Sequence, residues 1–315
     1  MNPPSGLVAP SGERLSVLGL GAWAIGGGGW SASWGPQDDS LSVATIQTGI
    51  GEGLNWVDTA AIYGLGHSEE VVGEALSGRR SEVFVATKCT RRWRQDGSMF
   101  ATGHPSSVRQ ECEDSLRRLR TDYLDLFQLH GPTEDVPVEE TWGELVRLRE
   151  TGKTRFIGVS NFDVELLRRC SVVGLVDSVQ PAYNILHREI EHDLIPFCHT
   201  KNIAVLAYGP MAHGTLSGTF SLSRLAPDDW RRRDHPLLDL PAALRAVELL
   251  QPLAAARGWT VGQLVTAWVV ANPDITSALV GARTPAQIKA SSEILRAGVD
   301  DTVRAEVDRA LDGPS

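Results

Sequence analysis

Cysteine is scarce in this sequence, and no two cysteines form a C-x-x-C pair. The four that occur are Cys89, Cys112, Cys170 and Cys198. A chain of 315 residues does not need disulfides to hold a core together. We therefore expect four reduced thiols in a cytoplasmic protein.

Basic residues are fewer than acidic residues in this sequence. The chain has 30 Lys and Arg against 39 Asp and Glu, a net charge of −9. This balance argues against a nucleic-acid or anionic-membrane partner. The first residues, MNPPSGLVAPSG, lack the basic and then apolar run of a secretory signal. No uncharged apolar stretch approaches the ~18 residues that a transmembrane helix needs, so we expect a soluble protein.

What the sequence does have is a regular alternation of short β-rich runs and longer helical patterns. The predicted strands are 17–23, 54–60, 82–88, 123–130, 155–160, 176–184, 203–210 and 276–281. The predicted helices are 38–52, 67–77, 105–120, 138–151, 163–172, 189–200, 242–257, 260–271, 285–296 and 300–311. One of the two at 242–257 and 260–271 is extra, because both precede the eighth strand, and the last helix is also extra. Eight crossover units predict an α/β fold, a (β/α)8 TIM barrel over 1–315 as one domain; a doubly wound open sheet is the alternative. The segment 211–241 lacks periodicity and is either a lid or a disordered insertion.

The stretch Gly19-x-Gly21-x-x-Ala24 fits the loose pattern of a dinucleotide-binding turn. Such a turn needs a helix directly after it and an acidic residue ~20 positions further on. Here the glycine run 26–29 follows, and Asp58 lies too far along. We therefore interpret the stretch as the first loop of a barrel rim, in which the glycine run bends the chain toward Trp30.

Four side chains that can move a proton follow consecutive predicted strands: Asp58, Tyr63, Lys88 and His130. In a barrel of this kind active residues lie where strands end. A phenol has a pKa near ~10, and a neighbouring ammonium lowers it. The aspartate would hold the lysine charged, and the histidine would bond a carbonyl oxygen. Taken singly, each residue is commonly a cap, a solvated lysine or a loop histidine; together they predict a site for carbonyl–alcohol interconversion.

Several motifs make the sequence resemble the aldo-keto reductases over nearly its whole length. They are 58-DTAAIYG-64, 87-TK-88, 123-YLDLFQLH-130, 158-GVSNF-162, 180-QPAYN-184, 208-YGPMAHGTLSG-218 and 281-GARTPAQ-287. Within that family, 21-GAWAIGGG-28 and 85-VATKC-89 look most like bacterial members close to the potassium channel β-subunit-like group. The resemblance implies a (β/α)8 barrel that binds extended NADPH across its C-terminal rim, without a Rossmann domain.

The resemblance also implies roles for individual residues. Tyr63 would be the general acid, Lys88 paired with Asp58 would lower its pKa, and His130 would orient the carbonyl. The implied cofactor-binding residues are Gly21, Ala22, Trp23, Asp58, Ser160, Asn161, Gln180, Tyr208, Gly209, Pro210, Met211, His213, Gly214, Gly281, Arg283 and Gln287. Among them, Tyr208 would stack on the nicotinamide and Arg283 would bind the 2′-phosphate, because a guanidinium fork suits a phosphate.

Three departures from the family pattern bear on the cofactor. Ala290 and Ser291 stand where many relatives have Glu and Asn for the adenine and ribose, and Gly209 stands where serine is common. Ala290 and Ser291 weaken the adenine contact, so NADH is possible beside NADPH, whereas Gly209 removes one side-chain contact. No residues have the spacing of a metal site: His192 and His199 share a helix face, but two ligands are poor evidence for a metal.

Loop aromatics near strand ends can wall an apolar pocket. We expect substrate contacts from Trp23, Trp30, Trp93, Tyr63 and His130, with loop packing as the alternative for the tryptophans. Trp34 is equally open to either interpretation. The clustered Arg231, Arg232 and Arg233 are interpreted as solvated loop charge, with a lid or phosphate contact as the alternative.

The expected function is NADPH-dependent reduction of a small-molecule aldehyde or ketone. A cofactor-sensing subunit with little turnover is one alternative, and a physiological alcohol or sugar dehydrogenase is another, because the same groups serve both directions. The sequence leaves the substrate and the oligomeric state open.

Overall fold

A computed structural model describes residues 7–233, 239–300 and 302–312. Within those ranges eight parallel strands form a closed barrel in the order β1-β10-β9-β8-β7-β6-β3-β2, and β4 pairs with β5 outside it. The strands are β1 (Leu18–Gly21), β2 (Trp56–Asp58), β3 (Phe84–Cys89), β4 (Arg91–Trp93), β5 (Met99–Ala101), β6 (Leu124–Leu129), β7 (Thr154–Ser160), β8 (Ser178–Gln180), β9 (Ala204–Tyr208) and β10 (Ser277–Gly281). The predicted (β/α)8 barrel is confirmed, and the open sheet is excluded because β1 pairs with both β2 and β10.

Ten α-helices lie in the described part of the chain, besides short 3-10 turns. They are α1 (Asp39–Gly51), α2 (His67–Ala75), α3 (Pro105–Leu119), α4 (Val138–Glu150), α5 (Val164–Val173), α6 (Leu194–Lys201), α7 (Leu240–Ala256), α8 (Val261–Val270), α9 (Pro285–Ala297) and α10 (Thr302–Asp312). The extra helices before the last barrel strand and at the C-terminal end are confirmed. Among these residues no helix is both long and apolar enough to cross a membrane.

Several predicted elements are shorter than expected, and for two of them a local reason is visible. The helix expected over 189–200 begins only at Leu194, because Asp193 caps the Leu194 N–H at 2.6 Å after a separate 3-10 turn. The strand expected over 176–184 ends at Gln180, since Pro181 has no N–H to continue the ladder. Residues 234–238 of the 211–241 segment and Asp301 of the last predicted helix lie outside the described residues.

The hairpin of β4 and β5 was not expected from the sequence. It pairs Arg91 with Ala101 and Trp93 with Met99 in the loop after β3. Its strands have three residues each and are mostly polar or exposed, so they lack the apolar alternation that marks a strand. The hairpin carries Trp93 over the barrel rim.

Packing inside the barrel explains why the first residue of the Gly19-x-Gly21-x-x-Ala24 stretch is a glycine. It also shows in which direction the functional side chains point. Trp56 is fully buried in a cluster with Phe84, and a Cβ at Gly19 would lie 2.0 Å from its Cε2 atom. Gly19 is therefore required by packing, not by a phosphate. Since successive residues of a strand face opposite sides, Phe84 and Lys88 point the same way, into the barrel.

The second face of the strands packs against the helices in a larger apolar cluster. The four cysteines are buried and unpaired, at Cys89, Cys112, Cys170 and Cys198. Free thiols are therefore present, as expected.

Candidate active site

The four proton-transfer candidates meet at the carboxyl end of the barrel. Lys88 Nζ lies 2.5 Å from Asp58 Oδ2 and 3.4 Å from Tyr63 Oη. The Tyr63 and His130 rings meet edge to face with centroids 5.6 Å apart. Asp58 is 3% exposed and Lys88 is 1% exposed. The structure thus places all four side chains in one cluster.

Two glycines place the tyrosine. Tyr63 begins a 3-10 turn in which Gly64 has a φ of +61°, a conformation that glycine adopts without strain. A Cβ at Gly64 would lie 2.0 Å from the carbonyl oxygen of Gly26, and a Cβ at Gly26 would lie 2.7 Å from the Gly64 nitrogen. The glycine run of the first loop therefore allows the backbone of Gly26 to contact the backbone of Gly64 beside Tyr63. The sequence alone predicted only that these glycines bend the loop.

Amides complete the surroundings of the buried aspartate. Gln180 Nε2 donates to Asp58 Oδ1 at 2.9 Å, and Gln128 Nε2 lies 3.4 Å from the same oxygen. The Lys88 ammonium also donates to the Thr59 carbonyl at 2.9 Å. Gln128 was missed by sequence reasoning, because a glutamine inside an apolar strand has no distinguishing signal of its own.

The electrostatics differ in one respect from the expectation. Burial lowers the pKa of Lys88, and Asp58 opposes that effect. The pKa of Tyr63 is raised well above its usual value by burial and then by the charge on Asp58. The phenol pKa is therefore raised in this arrangement and not lowered as expected, because burial and the charge on Asp58 both favour the protonated form. Tyr63 is a phenol that keeps its proton at neutral pH.

His130 is a neutral imidazole at neutral pH. Its pKa is lowered well below the usual range by burial, and further by the charges of Lys88 and Arg91. Its buried Nδ1 has no hydrogen-bond partner among the residues that the structure describes. A buried polar atom without a partner is costly in a folded protein, and this one lies on the ring that packs against Tyr63.

The predicted nicotinamide residues lie at the next strand ends. Asn161, with a φ of +59°, donates from Nδ2 to the His130 carbonyl at 3.0 Å. Its Oδ1 accepts from Tyr208 Oη at 2.9 Å, and Ser160 Oγ donates to the Gln180 carbonyl at 2.8 Å. The structure therefore brings Ser160, Asn161, Gln180 and Tyr208 together beside His130.

Tryptophans form the wall next to Tyr63. The Trp23 ring stacks on the Tyr63 ring with centroids 6.0 Å apart and an interplanar angle of 18°. Trp30 is buried beside them, and its Nε1 donates to the Gly27 carbonyl at 3.1 Å. Trp93, from the unexpected hairpin, packs against the same cluster. The predicted pocket tryptophans thus lie around Tyr63.

A further tryptophan was missed. Trp230 stacks on Trp23 with centroids 5.2 Å apart, and its backbone N–H donates to the Ser33 carbonyl at 2.8 Å. It comes from the 211–241 segment, where no periodicity pointed to a contact with the first loop. This part of the segment is therefore packed over the rim.

Arg231 corrects the interpretation of the arginine cluster. Its guanidinium lies 4.2 Å above the Trp34 ring and pairs with Asp229 at 2.6 Å, with 11% of the side chain exposed. It also donates to the His213 carbonyl at 3.1 Å. The expectation of solvated charge is wrong for Arg231, because stacking and ion pairing hold it against the first loop.

Arg283 lies farther along the rim and is held by the first loop. It donates from Nε to Gln37 Oε1 at 2.8 Å and from Nη1 to the Trp34 carbonyl at 2.9 Å, and it also bonds the Pro36 carbonyl. Gln287 Oε1 accepts the backbone N–H of Arg283 at 2.8 Å. Most of the guanidinium is thus engaged by protein oxygens, a contact that the sequence did not predict.

The remaining cofactor candidates surround an open stretch of backbone. A Cβ at Gly209 or at Gly281 would meet nothing within 4 Å, and Gly214 has a φ of +91°. Gly21 lies between Asp58 and Gly281 in the barrel register. Of the other candidates in these loops, Ala22 and Pro210 are buried, and Met211 and His213 are partly buried. Exposed backbone beside a row of aromatic and amide side chains fits an extended nucleotide.

Comparisons with known proteins agree with this arrangement. The model of the "Aldo/keto reductase family" matches residues 17–312. An aldo-keto reductase of Bacillus subtilis (strain 168) is 38% identical over 293 residues, which is 91% of this chain and 87% of that protein. An NADH-specific methylglyoxal reductase of Escherichia coli (strain K12) is 34% identical, over 95% of this chain and 96% of its own.

Solved structures of similar proteins superimpose on this fold. A glycerol dehydrogenase of Gluconobacter oxydans superimposes with a TM-score of 0.84 at 37% identity, covering 94% of this chain and 91% of that one. An aldo-keto reductase of Klebsiella pneumoniae in complex with NADPH has a TM-score of 0.74 at 28% identity, covering 100% of this chain and 96% of that one.

Proposed function

This chain belongs to the aldo/keto reductase family, and on that basis we propose that it reduces a small aldehyde or ketone to an alcohol with Tyr63 as the general acid. The observation that carries the proposal is the buried cluster in which Lys88 contacts both Asp58 and Tyr63. When bound, a reduced nicotinamide supplies the hydride for the carbonyl carbon. The protein supplies the proton, its position and the surrounding charge.

The proton comes from the Tyr63 hydroxyl. As the carbonyl oxygen gains charge, Tyr63 Oη gives up its proton and becomes a phenolate. The Lys88 ammonium, 3.4 Å away, stabilises that phenolate, and Asp58 holds the ammonium in place. A phenol whose pKa is raised keeps its proton over the whole neutral range, so it is available there as the acid that reduction needs.

His130 and the neighbouring amides orient the substrate and the nicotinamide. A neutral imidazole can donate one hydrogen bond to the carbonyl oxygen, and the low pKa of His130 keeps it neutral. Ser160, Asn161 and Gln180 offer donors and acceptors for a carboxamide, and Tyr208 offers a ring to stack against it. Trp23, Trp30 and Trp93 wall the substrate side.

We propose NADPH as the preferred cofactor, with NADH also accepted. Arg283 is the cation for a 2′-phosphate, and one structural relative is solved with NADPH. On the other side, Ala290 and Ser291 add no charge, Arg283 is shared with Gln37, and one relative is named NADH-specific. Discrimination between the two cofactors is therefore expected to be modest.

The test is oxidation of NADPH and NADH with 4-nitrobenzaldehyde, methylglyoxal and simple aldoses, and the reverse reaction with glycerol. We expect turnover of at least one carbonyl that is lost in Tyr63→Phe. Tight NADPH binding without turnover of any of them would instead identify a cofactor sensor. Oxidation of glycerol that exceeds every reduction at neutral pH would reverse the proposed direction.

A further inference from the structure

Thr90, the residue that follows β3, is held in an unfavourable conformation. Its φ is +73°, in the left-handed region that β-branched residues avoid, and it is completely buried. Such a conformation persists only where the surroundings enforce it. Because Thr90 lies two residues after Lys88, whatever enforces the turn also controls where the lysine-bearing strand ends.

A buried carboxyl group from α3 holds this turn. Glu111 Oε2 accepts the Thr90 N–H at 3.0 Å, and Glu111 is only 3% exposed. Glu111 Oε1 accepts from Ser107 Oγ at 3.1 Å, and Arg92 Nη1 reaches the same hydroxyl at 3.0 Å. The pKa of Glu111 is raised to about 8 by burial, so an isosteric amide is a close substitute for it at neutral pH.

The Thr90 turn connects three parts of the site. The Thr90 hydroxyl donates to the Gly131 carbonyl at 3.3 Å, and the Cys89 carbonyl accepts the His130 N–H at 3.0 Å. The Thr90 carbonyl accepts the Thr102 N–H at 3.2 Å, where the hairpin carrying Trp93 returns. Lys88, His130 and the hairpin therefore share one backbone turn.

We propose that Glu111 is a positioning residue for the reaction: by holding the Thr90 turn it sets the relative placement of Lys88 and His130. It acts through the backbone of Thr90 and does not touch the substrate. The catalytic consequence of this inference rests on the proposed carbonyl reduction. The hydrogen bond by which Glu111 stabilises the Thr90 turn does not depend on that function.

A second buried glutamate, Glu69, makes different contacts. Glu69 accepts from Thr87 Oγ1 at 2.6 Å and from Arg118 Nε at 2.6 Å. It thus bonds a side chain within the regular strand and a cation, whereas Glu111 bonds a main-chain N–H at the left-handed residue. Only Glu111 is therefore expected to be linked energetically to the conformation of Thr90.

Hydrogen exchange on the purified chain, without added nucleotide, tests directly whether Glu111 stabilises the Thr90 turn. Glu111→Leu removes the acceptor, so peptides covering 89–102 are expected to exchange about tenfold faster or more, while β7 stays within about twofold. Glu111→Gln keeps an acceptor and should retain the wild-type rate. Unchanged exchange over 89–102 in Glu111→Leu would overturn the proposal.

Kinetics test the consequence for catalysis. With NADPH and 4-nitrobenzaldehyde, Glu111→Leu should lower kcat about tenfold, because small displacements of catalytic groups are costly, while the Kd for NADPH from tryptophan fluorescence stays within about twofold. Adding Thr90→Gly should recover much of the loss, since glycine adopts this φ without help. A loss of kcat that Thr90→Gly does not recover counts against the proposal.

Glu144→Leu is the matched control. Glu144 is also a buried carboxyl group, but it pairs with Arg109 and Arg147 on the outer helices, so this variant should lose stability and keep kcat within about twofold. If Glu111→Leu does not fold, Ser107→Ala takes its place, with a smaller loss of kcat that Thr90→Gly restores. A wild-type chain that turns over no carbonyl defeats the proposed function, whereas normal kcat in a folded Glu111→Leu defeats only this inference.

Discussion

Lys88 Nζ lies 2.5 Å from Asp58 Oδ2, and both side chains are buried where the barrel strands end. Two opposite charges so far from water depend on each other, because removing one leaves the other uncompensated. The pair also provides the charge closest to the Tyr63 hydroxyl. The predictions on Tyr63 and Lys88 follow from this geometry.

Replacing Tyr63 with Phe should remove the proton donor and keep the ring that stacks on Trp23. Carbonyl reduction is expected to fall about 10²–10⁴-fold, the usual contribution of a general acid, with NADPH binding nearly intact by fluorescence titration. Tyr123→Phe is the control, since that ring lies against Arg80 and not in the site. Near-normal turnover in Tyr63→Phe would remove Tyr63 from the acid role.

The pH profile of reduction should be flat through the neutral range. Reduction needs the protonated phenol, so its rate falls only as the pH rises through the Tyr63 pKa, and that pKa is raised above its usual value. The His130 pKa is lowered well below its usual value, so no limb is expected near the ordinary histidine pKa of ~6.5. Alcohol oxidation, which needs the phenolate, should rise with pH. Measured kcat/KM against pH in both directions checks this, and a basic limb of reduction near neutrality would contradict it.

Lys88→Met should cripple reduction and displace its basic limb to still higher pH, because the ammonium no longer favours the phenolate. It should also cost about 3–5 kcal/mol of unfolding free energy by leaving Asp58 unpaired. The double variant Lys88→Met with Asp58→Asn should regain much of that stability but not the activity. An unchanged pH profile in Lys88→Met would count against any electrostatic effect on Tyr63.

Arg283→Ala should weaken NADPH binding more than NADH binding, measured as two Kd values. Gln37→Ala is the matched comparison: it removes one bond to the guanidinium but keeps the cation. If Arg283 binds the 2′-phosphate, only Arg283→Ala should change the ratio of the two affinities strongly. Equal losses for both cofactors would reduce Arg283 to a structural link with the first loop.

Gly26→Ala should disturb the Tyr63 turn. The added Cβ would lie 2.7 Å from the Gly64 nitrogen, and overpacking of this kind costs about 1–3 kcal/mol. Both Tm and kcat should fall. Gly51→Ala is the control, because a Cβ there meets nothing within 4 Å and the residue ends α1. A Gly26→Ala protein with wild-type Tm and kcat would show that the close approach is not required.

Most of the fold could be predicted from the sequence, because the barrel strands and their helices carry long periodic signals. The strand bearing Lys88 and the strand that directly precedes His130 were expected within two residues of their observed ends. The strand-end rule then selected the four site residues. Short or polar elements were missed. The hairpin that carries Trp93 has three residues per strand, and Trp230 lies in a segment without periodicity, so neither has a local pattern that pairing could be inferred from.

The local sequence pattern was enough to predict the (β/α)8 order and the residues at its rim. Both follow from residues that are close together in the chain, through their periodicity and their position at strand ends. Only the tertiary structure decided the pKa direction of Tyr63, the contact of Gly26 with Gly64, and the capture of Arg283 by the first loop. These depend on burial and on distances between residues far apart in the chain. For Tyr63 the sequence showed which charges would be near, but the loss of water around the phenol, which is the largest cause of its raised pKa, exists only once the barrel has folded.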